Sequence, residues 1–143
     1  MMKALVLGTL VLCTTTLWAS PLHDAAEAGD HARIRQLVAA GNDINAINER
    51  GIWPLLAAVT NGDGRTVQLL LELGADPNRA DQYNYTALHE AASLSYRDVV
   101  ELLIDAKADI NARDISGITP LGYALRNGSQ DVVELLQSYG AQE

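Results

Sequence analysis

The sequence is poor in residues that build a thick or cross-linked core. It contains no phenylalanine in 143 residues, and its only cysteine is Cys13. Without phenylalanine, a thin arrangement packed from aliphatic side chains is favoured over a large globular core. A single cysteine excludes an internal disulfide.

Positive charge is also scarce. Ten lysine and arginine residues stand against eighteen aspartate and glutamate residues, which gives a net charge of −8. Nucleic acids and anionic lipid surfaces are bound through basic faces, so this balance argues against both as partners. The acidic excess favours solubility and a protein partner with a basic contact surface.

Motifs that carry catalysis are missing as well. The sequence has no glycine-rich phosphate loop, no Gly-x-Ser-x-Gly and no His-Glu-x-x-His. The remaining acid–base candidates, which are aspartate and glutamate residues, give only a weak case for an enzyme. We therefore predict that the protein is not an enzyme and uses no cofactor and no metal.

The N-terminal segment differs from the rest of the chain. Met1-Met2-Lys3 is a short positive region, residues 4–13 are apolar, and residues 14–19 lead to a small residue, Ala19. This pattern indicates a secretory signal peptide over residues 1–19, cleaved after Ala19. The apolar stretch is too short for a membrane anchor, which needs about 20 residues.

Cleavage would change the properties of the mature chain, residues 20–143. It would remove Lys3 and Cys13, leaving nine basic against eighteen acidic residues, a net charge of −9, and no thiol to oxidise. Together with the short leucine-rich signal, this predicts a periplasmic protein of a bacterium, with secretion as the alternative. No membrane insertion is expected after cleavage.

A 33-residue interval orders the rest of the chain. Four unrelated sets of positions keep it without any insertion, and Lys107 stands where one further glycine would fall. The sets are Leu22, Leu55, Leu88 and Leu121; Leu37, Leu70, Leu103 and Leu136; Asn45, Asn78 and Asn111; and Gly41, Gly74 and Gly140. Such regularity indicates a repeat array.

The repeated unit resembles the ankyrin repeat. Thr119-Pro120-Leu121 and Thr86-Ala87-Leu88-His89 are similar to the opening of that repeat, residues 98–103 to its outer helix, and residues 73–78 to its Gly-Ala-Asp-x-Asn end. The resemblance implies an all-α solenoid of about four helix-turn-helix repeats with short hairpin tips. The predicted repeats of the domain 20–143 are 20–47, 48–80, 81–113 and 114–143.

Turn and capping residues place two helices in each repeat. Ser20 is predicted to cap a helix that starts at Pro21, whereas Trp53 stands where later repeats have a capping threonine. Asn84 and Lys107 occupy glycine positions, where a left-handed backbone is expected. The predicted helices are 21–28, 31–40, 54–61, 65–73, 87–94, 97–106, 120–127 and 131–138.

Polar residues that recur every 33 residues are interpreted as structural residues of the repeat. His23 and His89 share one repeat position, and stacking would separate them by two repeats of about 10 Å each, too far to share a metal. The resemblance implies that this histidine bonds to neighbouring backbone, and His31 is interpreted as an exposed residue at a helix start. The predicted turn formers are Asp43, Asp76 and Asp109 with Asn45, Asn78 and Asn111.

Residues that break the consensus at turn tips and inner-helix ends are the candidates for function. The resemblance implies that these positions line a concave binding surface, and aromatic and arginine residues are enriched where binding energy concentrates. Packing between adjacent turns is the alternative, above all for Ile52 and Ile118. The candidate partner-binding residues are Arg50, Ile52, Trp53, Tyr83, Tyr85, Leu94, Ile115, Ile118 and Arg126.

These features predict a monomeric, non-enzymatic protein that binds another protein through its concave face. The chain resembles small exported bacterial ankyrin-repeat proteins, which implies an inhibitor or immunity protein for a periplasm-acting enzyme. Support of an oxidative-stress enzyme such as catalase is the alternative. A cell-wall hydrolase and a self-associating structural protein represent two other classes.

Overall fold

A computed structural model describes residues 20–143, so the predicted signal peptide lies outside the described residues. The described chain forms eight α-helices, and its only strand-like pairing is one bridge between Ala80 and Thr86. The helices are α1 Pro21–Ala28, α2 His31–Ala39, α3 Pro54–Thr60, α4 Gly64–Glu72, α5 Ala87–Ser93, α6 Arg97–Asp105, α7 Pro120–Asn127 and α8 Gln130–Ser138. The predicted all-α solenoid is confirmed, and every helix end lies within one residue of its prediction.

The helices stack in two layers. Each odd-numbered helix packs on the even-numbered helix that follows it, and α1, α3, α5 and α7 pack on one another in succession. We call these four the inner helices and the other four the outer helices. Helices of seven to nine residues are marginal alone in water, so the contacts between repeats stabilise them.

The core is a continuous strip of aliphatic side chains. The leucines of the 33-residue interval are all buried, and Ala26, Ala58, Ala91 and Ala124 let the inner helices approach closely. Trp53 is the one large aromatic residue in this strip and is fully buried. Burial of this kind contributes about 25 cal/mol for each Å² of apolar surface removed from water.

The turns that follow the outer helices carry a ladder of side-chain hydrogen bonds. In each turn an aspartate oxygen accepts the N–H two residues later, and the asparagine amide oxygen accepts an N–H of the next repeat. The distances are 2.9–3.0 Å for Asp43, Asp76 and Asp109 and 2.6–2.8 Å for Asn45, Asn78 and Asn111. The predicted role of these residues as turn formers is confirmed.

Capping of the inner helices is uneven. The hydroxyls of Thr86 and Thr119 accept the N–H groups of the third helical residues at 3.4 and 3.2 Å. The prediction that Ser20 caps α1 is wrong, because its side chain precedes the helix but accepts no N–H of the first turn. Pro21 and Pro54 begin their helices without an N–H that would need a cap.

The third repeat has side chains at positions where other repeats have glycine. Asn84 and Lys107 adopt the predicted left-handed backbone with φ of 56° and 70°, and Ser95 adopts it with φ of 62°. Ser95 was not predicted, although it shares the repeat position of Gly62 and Gly128. A residue with a side chain pays about 1–2 kcal/mol for this conformation.

Replacing Lys107 with glycine should stabilise the protein. The relief of strain exceeds the extra entropy cost of glycine, about 0.5–1 kcal/mol, so we expect a net gain of roughly 0.5–1 kcal/mol. That gain corresponds to a melting temperature higher by about 2–5 °C, measured by far-UV circular dichroism. Lys107→Ala is the matched control, since it removes the charge and keeps the strain. Equal melting temperatures for the two variants would contradict the prediction.

Candidate functional site

A tight hairpin precedes each of the inner helices α3, α5 and α7. Its first residue, which is Asn48, Asp81 or Asp114, accepts the N–H groups two and four residues later on one side-chain oxygen. The six distances are 2.8–3.0 Å. The backbone of each hairpin is therefore fixed, and we call residues 49–50, 82–83 and 115–116 the hairpin tips.

Histidines tie two of the hairpins to the inner helix of the preceding repeat. The Nε2 atom of His23 lies 2.7 Å from the carbonyl oxygen of Ile52, and that of His89 lies 3.1 Å from the carbonyl of Ile118. The predicted backbone-bonding role of both histidines is confirmed. Between the second and third repeats Leu56 takes the histidine position, so this link is missing there.

A second link is missing at the same junction. The side-chain amide of Asn61 donates to the carbonyl of Glu27 at 3.0 Å, and that of Asn127 donates to the carbonyl of Ser93. Leu94 occupies the equivalent position between the second and third repeats and has no donor. Its side chain is 39% exposed, so an apolar surface replaces a hydrogen bond of the scaffold.

Three aromatic rings pack together beside the hairpins. The ring of Tyr85 stacks on His89 with centroids 5.2 Å apart, and Tyr123 meets both rings edge-on at 5.5 and 5.8 Å. The hydroxyl of Tyr85 donates to Glu90 at 3.0 Å, and that of Tyr123 donates to Asp114 at 2.7 Å. Tyr85 is therefore held in a cluster on the inner side of its hairpin.

The electrostatics of this cluster keep both phenols protonated. The hydrogen bond to Asp114 raises the pKa of Tyr123 to about 12, and burial together with Glu90 raises that of Tyr85. Burial opposes ionisation of Asp114, but hydrogen bonds from Tyr123 and from backbone N–H groups hold its pKa below the usual value. Neither phenol is thus available as an acid or base near neutral pH.

The predicted partner-binding residues fall into two groups, one exposed to solvent and one buried or partly buried. Tyr83 is 53% exposed and Ile115 is 63% exposed, and these two neighbours are joined by a 2.9 Å hydrogen bond from the N–H of Ile115 to the carbonyl of Tyr83. Arg50 and Arg126 are exposed too. These residues and Leu94 are the members of the predicted set that offer surface to a partner.

The prediction that Trp53 contacts a partner is wrong. Its side chain is fully buried within the core cluster, so no partner can reach it. Ile52, Tyr85 and Ile118 are partly buried: Ile52 packs on the core, Tyr85 belongs to the aromatic cluster, and a methyl group of Ile118 covers Gly122. Packing is the main role of these three side chains.

His31 also departs from its prediction. It is partly buried, not exposed, and its Nε2 atom lies 3.0 Å from the hydroxyl of Thr66 in the second repeat. That hydroxyl donates to Asp63 at 2.6 Å, so the imidazole is the donor to Thr66. His31 therefore joins the first two outer helices.

Three residues near the proposed surface were not predicted: Ile47 and Glu27, which are exposed, and Arg79, which is partly buried. Ile47 is 57% exposed just before the second hairpin. Glu27 forms a 2.8 Å ion pair with Arg50 across the first two repeats. Comparison of repeat positions could have found Ile47 and Arg79, since Ile47 aligns with Ala80, and Arg79 aligns with two alanines at 46 and 112.

None of the helices between residues 20 and 143 has the length and apolar character needed to cross a membrane. Over the same residues, no three potential ligand side chains are grouped so that they could hold a metal ion.

Family comparisons agree with this architecture. Residues 22–114 match a family model described as ankyrin repeats (3 copies), and residues 116–142 match the model of a single ankyrin repeat. The first match alone spans more than half of the 143 residues. No curated protein matches the chain at a significant level.

The buried histidines should make stability depend on pH near neutrality. Burial lowers the folded-state pKa of His23 and His89, so the unfolded chain binds protons more readily once the pH falls below about 6.5. Their stabilisation is present above that pH and is lost on acidification. We expect a lower urea midpoint at about pH 5.5 than at about pH 7.5.

The double variant His23→Gln, His89→Gln should show a smaller pH dependence, because its amides do not titrate. Unfolding can be followed by fluorescence of Trp53, the only tryptophan among residues 20–143. His31→Gln is the control, since His31 resembles the others in forming an inter-repeat bond but is less buried. An unchanged pH dependence in the double variant would contradict the prediction.

Proposed function

Because the chain belongs to the ankyrin-repeat family, whose members are typically non-enzymatic modules of protein interaction, we propose that it binds a partner protein through its inner face and hairpin tips. The observation that carries this proposal is the exposed apolar pair Tyr83 and Ile115 on two fixed, adjacent hairpins. More than half of the surface of each residue is exposed, so both offer apolar area that the stack does not cover. They are well placed to contribute to binding.

Rigidity of the tips supports the proposal. The side-chain oxygens of Asp81 and Asp114 fix the backbone on which Tyr83 and Ile115 lie. A preformed surface loses little conformational entropy when a partner docks. A tyrosine with an apolar neighbour is also the kind of contact in which binding energy concentrates.

Leu94 extends the same surface along the inner helices. It is the residue that follows α5, at a position where two other repeats use an asparagine to bond the preceding repeat. Arg126 lies in the last turn of α7, one repeat further along. Together with the tips, these side chains provide an apolar centre and a positive group for a partner.

Charge sets the expected character of the partner. The described residues carry nine basic and eighteen acidic side chains, a net charge of −9, which would steer a partner with a basic contact surface. Exposed ion pairs such as Glu27–Arg50 contribute little to stability, so Arg50 can exchange Glu27 for a group of the partner.

The place of action follows from the pattern of residues 1–19. Their short positive start, apolar stretch and Ala19 support export to a bacterial periplasm. The resemblance to small exported ankyrin-repeat proteins supports a monomeric inhibitor or immunity protein for an enzyme acting there. Support of an oxidative-stress enzyme is the second candidate, and the identity of the captured partner separates the two.

Substitution of Tyr83 and Ile115, which we call the tip pair, should weaken capture of the partner. Residues 20–143 immobilised on beads would capture it from periplasmic extract of the source cells, and mass spectrometry would identify it. With the purified partner, we expect Tyr83→Ala with Ile115→Ala to raise Kd by about tenfold to a hundredfold, since hot-spot residues contribute about 2 kcal/mol or more. Isothermal titration calorimetry measures the change.

Tyr139→Ala is the matched control for this experiment. Tyr139 is an exposed tyrosine (47%) that follows α8, away from the tips, so its removal should leave Kd unchanged. Circular dichroism should show that all variants keep the helical signal. A Kd within about twofold of the original protein for the double variant would contradict binding through the tips.

Export can be tested separately. The full chain expressed in a bacterial host should appear in the periplasmic fraction with Ser20 as its first residue, because Ala19 is the predicted residue before the cleavage site. Intact-mass measurement of the purified protein identifies the first residue. A chain that keeps Met1 and stays in the cytoplasm would show that residues 1–19 are not a signal peptide.

A further inference from the structure

A groove of about 360 Å³ lies between the hairpins of the second and third repeats. Ile47 and Tyr83 contribute apolar walls, and Arg50 and Arg79 contribute guanidinium groups. Positive side chains are scarce in this chain, and here two arginines balance the two acidic residues of the lining, Glu49 and Asp81, so the groove is less acidic than the chain as a whole.

Arg79 has no partner within the described residues that explains its position. The ion pairs found there join Arg50 to Glu27 and Arg97 to Glu101, and neither includes Arg79. Its Nε atom is buried and has no hydrogen-bond acceptor in residues 20–143. A buried guanidinium N–H without an acceptor is unfavourable, and an anionic acceptor compensates it best.

The repeat does not require an arginine at this position. The equivalent residues of the neighbouring repeats are Ala46 and Ala112. The two acidic residues of the groove, Glu49 and Asp81, form no ion pair with Arg79. Asp81 instead uses a carboxylate oxygen to accept two N–H groups of its own hairpin. The scaffold therefore accounts for Asp81 and leaves the guanidinium of Arg79 unexplained.

We propose that the groove binds a carboxylate attached to a short apolar stem. Because the Nε atom is buried, Arg79 pairs with the two carboxylate oxygens through the terminal nitrogens of its guanidinium, while Ile47 and Tyr83 pack on the stem. The C-terminal residue of a polypeptide or a glutamate side chain supplies such a group. The proposal rests on the proposed function, because Arg50 and Tyr83 belong to both surfaces.

Selectivity follows from the surroundings of the groove. The acidic excess of the whole chain repels free anions over a distance of about 10 Å, whereas contacts inside the groove act at hydrogen-bond range. A carboxylate is therefore bound best when a partner with an otherwise basic or neutral surface presents it. The apolar walls at Ile47 and Tyr83 favour an organic carboxylate over a small inorganic anion.

Two carboxylate probes and one neutral probe test the proposal on residues 20–143. N-acetyl-leucine imitates a chain terminus, N-acetyl-glutamate α-amide imitates a glutamate side chain, and N-acetyl-leucinamide lacks the charge. In a titration followed by amide NMR spectra, we expect saturable shifts in residues 47–51 and 79–83 with at least one carboxylate. The carboxylate that binds more tightly identifies the source of the group. Failure of both carboxylates to bind, or equal binding of the amide, would overturn the proposal.

Substitutions of Arg79 test whether this residue binds the carboxylate. We expect Arg79→Gln to lower the affinity for the carboxylate probe that binds more tightly by about tenfold or more. Arg79→Lys should retain part of that affinity. Arg65→Gln is the matched control, because it makes the same charge change at an exposed residue of α4 outside the groove. Circular dichroism confirms that each variant is folded. Unchanged affinity in Arg79→Gln would overturn the assignment.

The probe titration and partner capture can fail independently. If the tip pair Tyr83 and Ile115 is needed for capture but no carboxylate binds, the groove proposal is wrong and the proposed function stands. If a carboxylate binds through Arg79 but capture survives loss of the tip pair, the proposed function is wrong and the groove remains a binding site.

Discussion

Hydrogen bonds that short polar side chains accept from backbone N–H groups set the geometry of this protein. Helices of seven to nine residues have little stability of their own, so the turns decide how they stack. An oxygen of Asn48, Asp81 or Asp114 fixes each hairpin, and the asparagine ladder joins the opposite turns. Each bond contributes only about 1 kcal/mol net, but an unsatisfied buried N–H costs more. The exposed tips depend on this framework for their position.

The interval of 33 residues predicted a repeat array, and the resemblance to the ankyrin repeat supplied its architecture. Helix ends and the left-handed residues Asn84 and Lys107 follow from repeat position and local residue type, whereas the backbone contacts of His23 and His89 were implied by the resemblance. Each of these features recurs in more than one repeat. A recurring feature can be recognised from spacing without knowledge of the side-chain packing.

Side-chain direction could not be predicted in the same way. Trp53 replaces a threonine at a helix start, and the interval does not show that its ring turns into the core. Tyr83 and Tyr85 are two residues apart in one hairpin, yet the first faces solvent and the second stacks on His89. Arg79 looks like an ordinary polar substitution until its surroundings are known. Such differences depend on contacts between repeats, which a single-repeat pattern does not contain.

The junction between the second and third repeats gives the stack an uneven mechanical character. Leu56 and Leu94 remove two of the side-chain links that join the other repeats, whereas Asn78 keeps the ladder across this junction. In an array where each repeat contacts only its neighbours, a group that touches two repeats strengthens the junction between them. Because the groove of Ile47, Arg79 and Tyr83 spans this junction, its occupant would contact both repeats and act as a brace between the two halves of the stack.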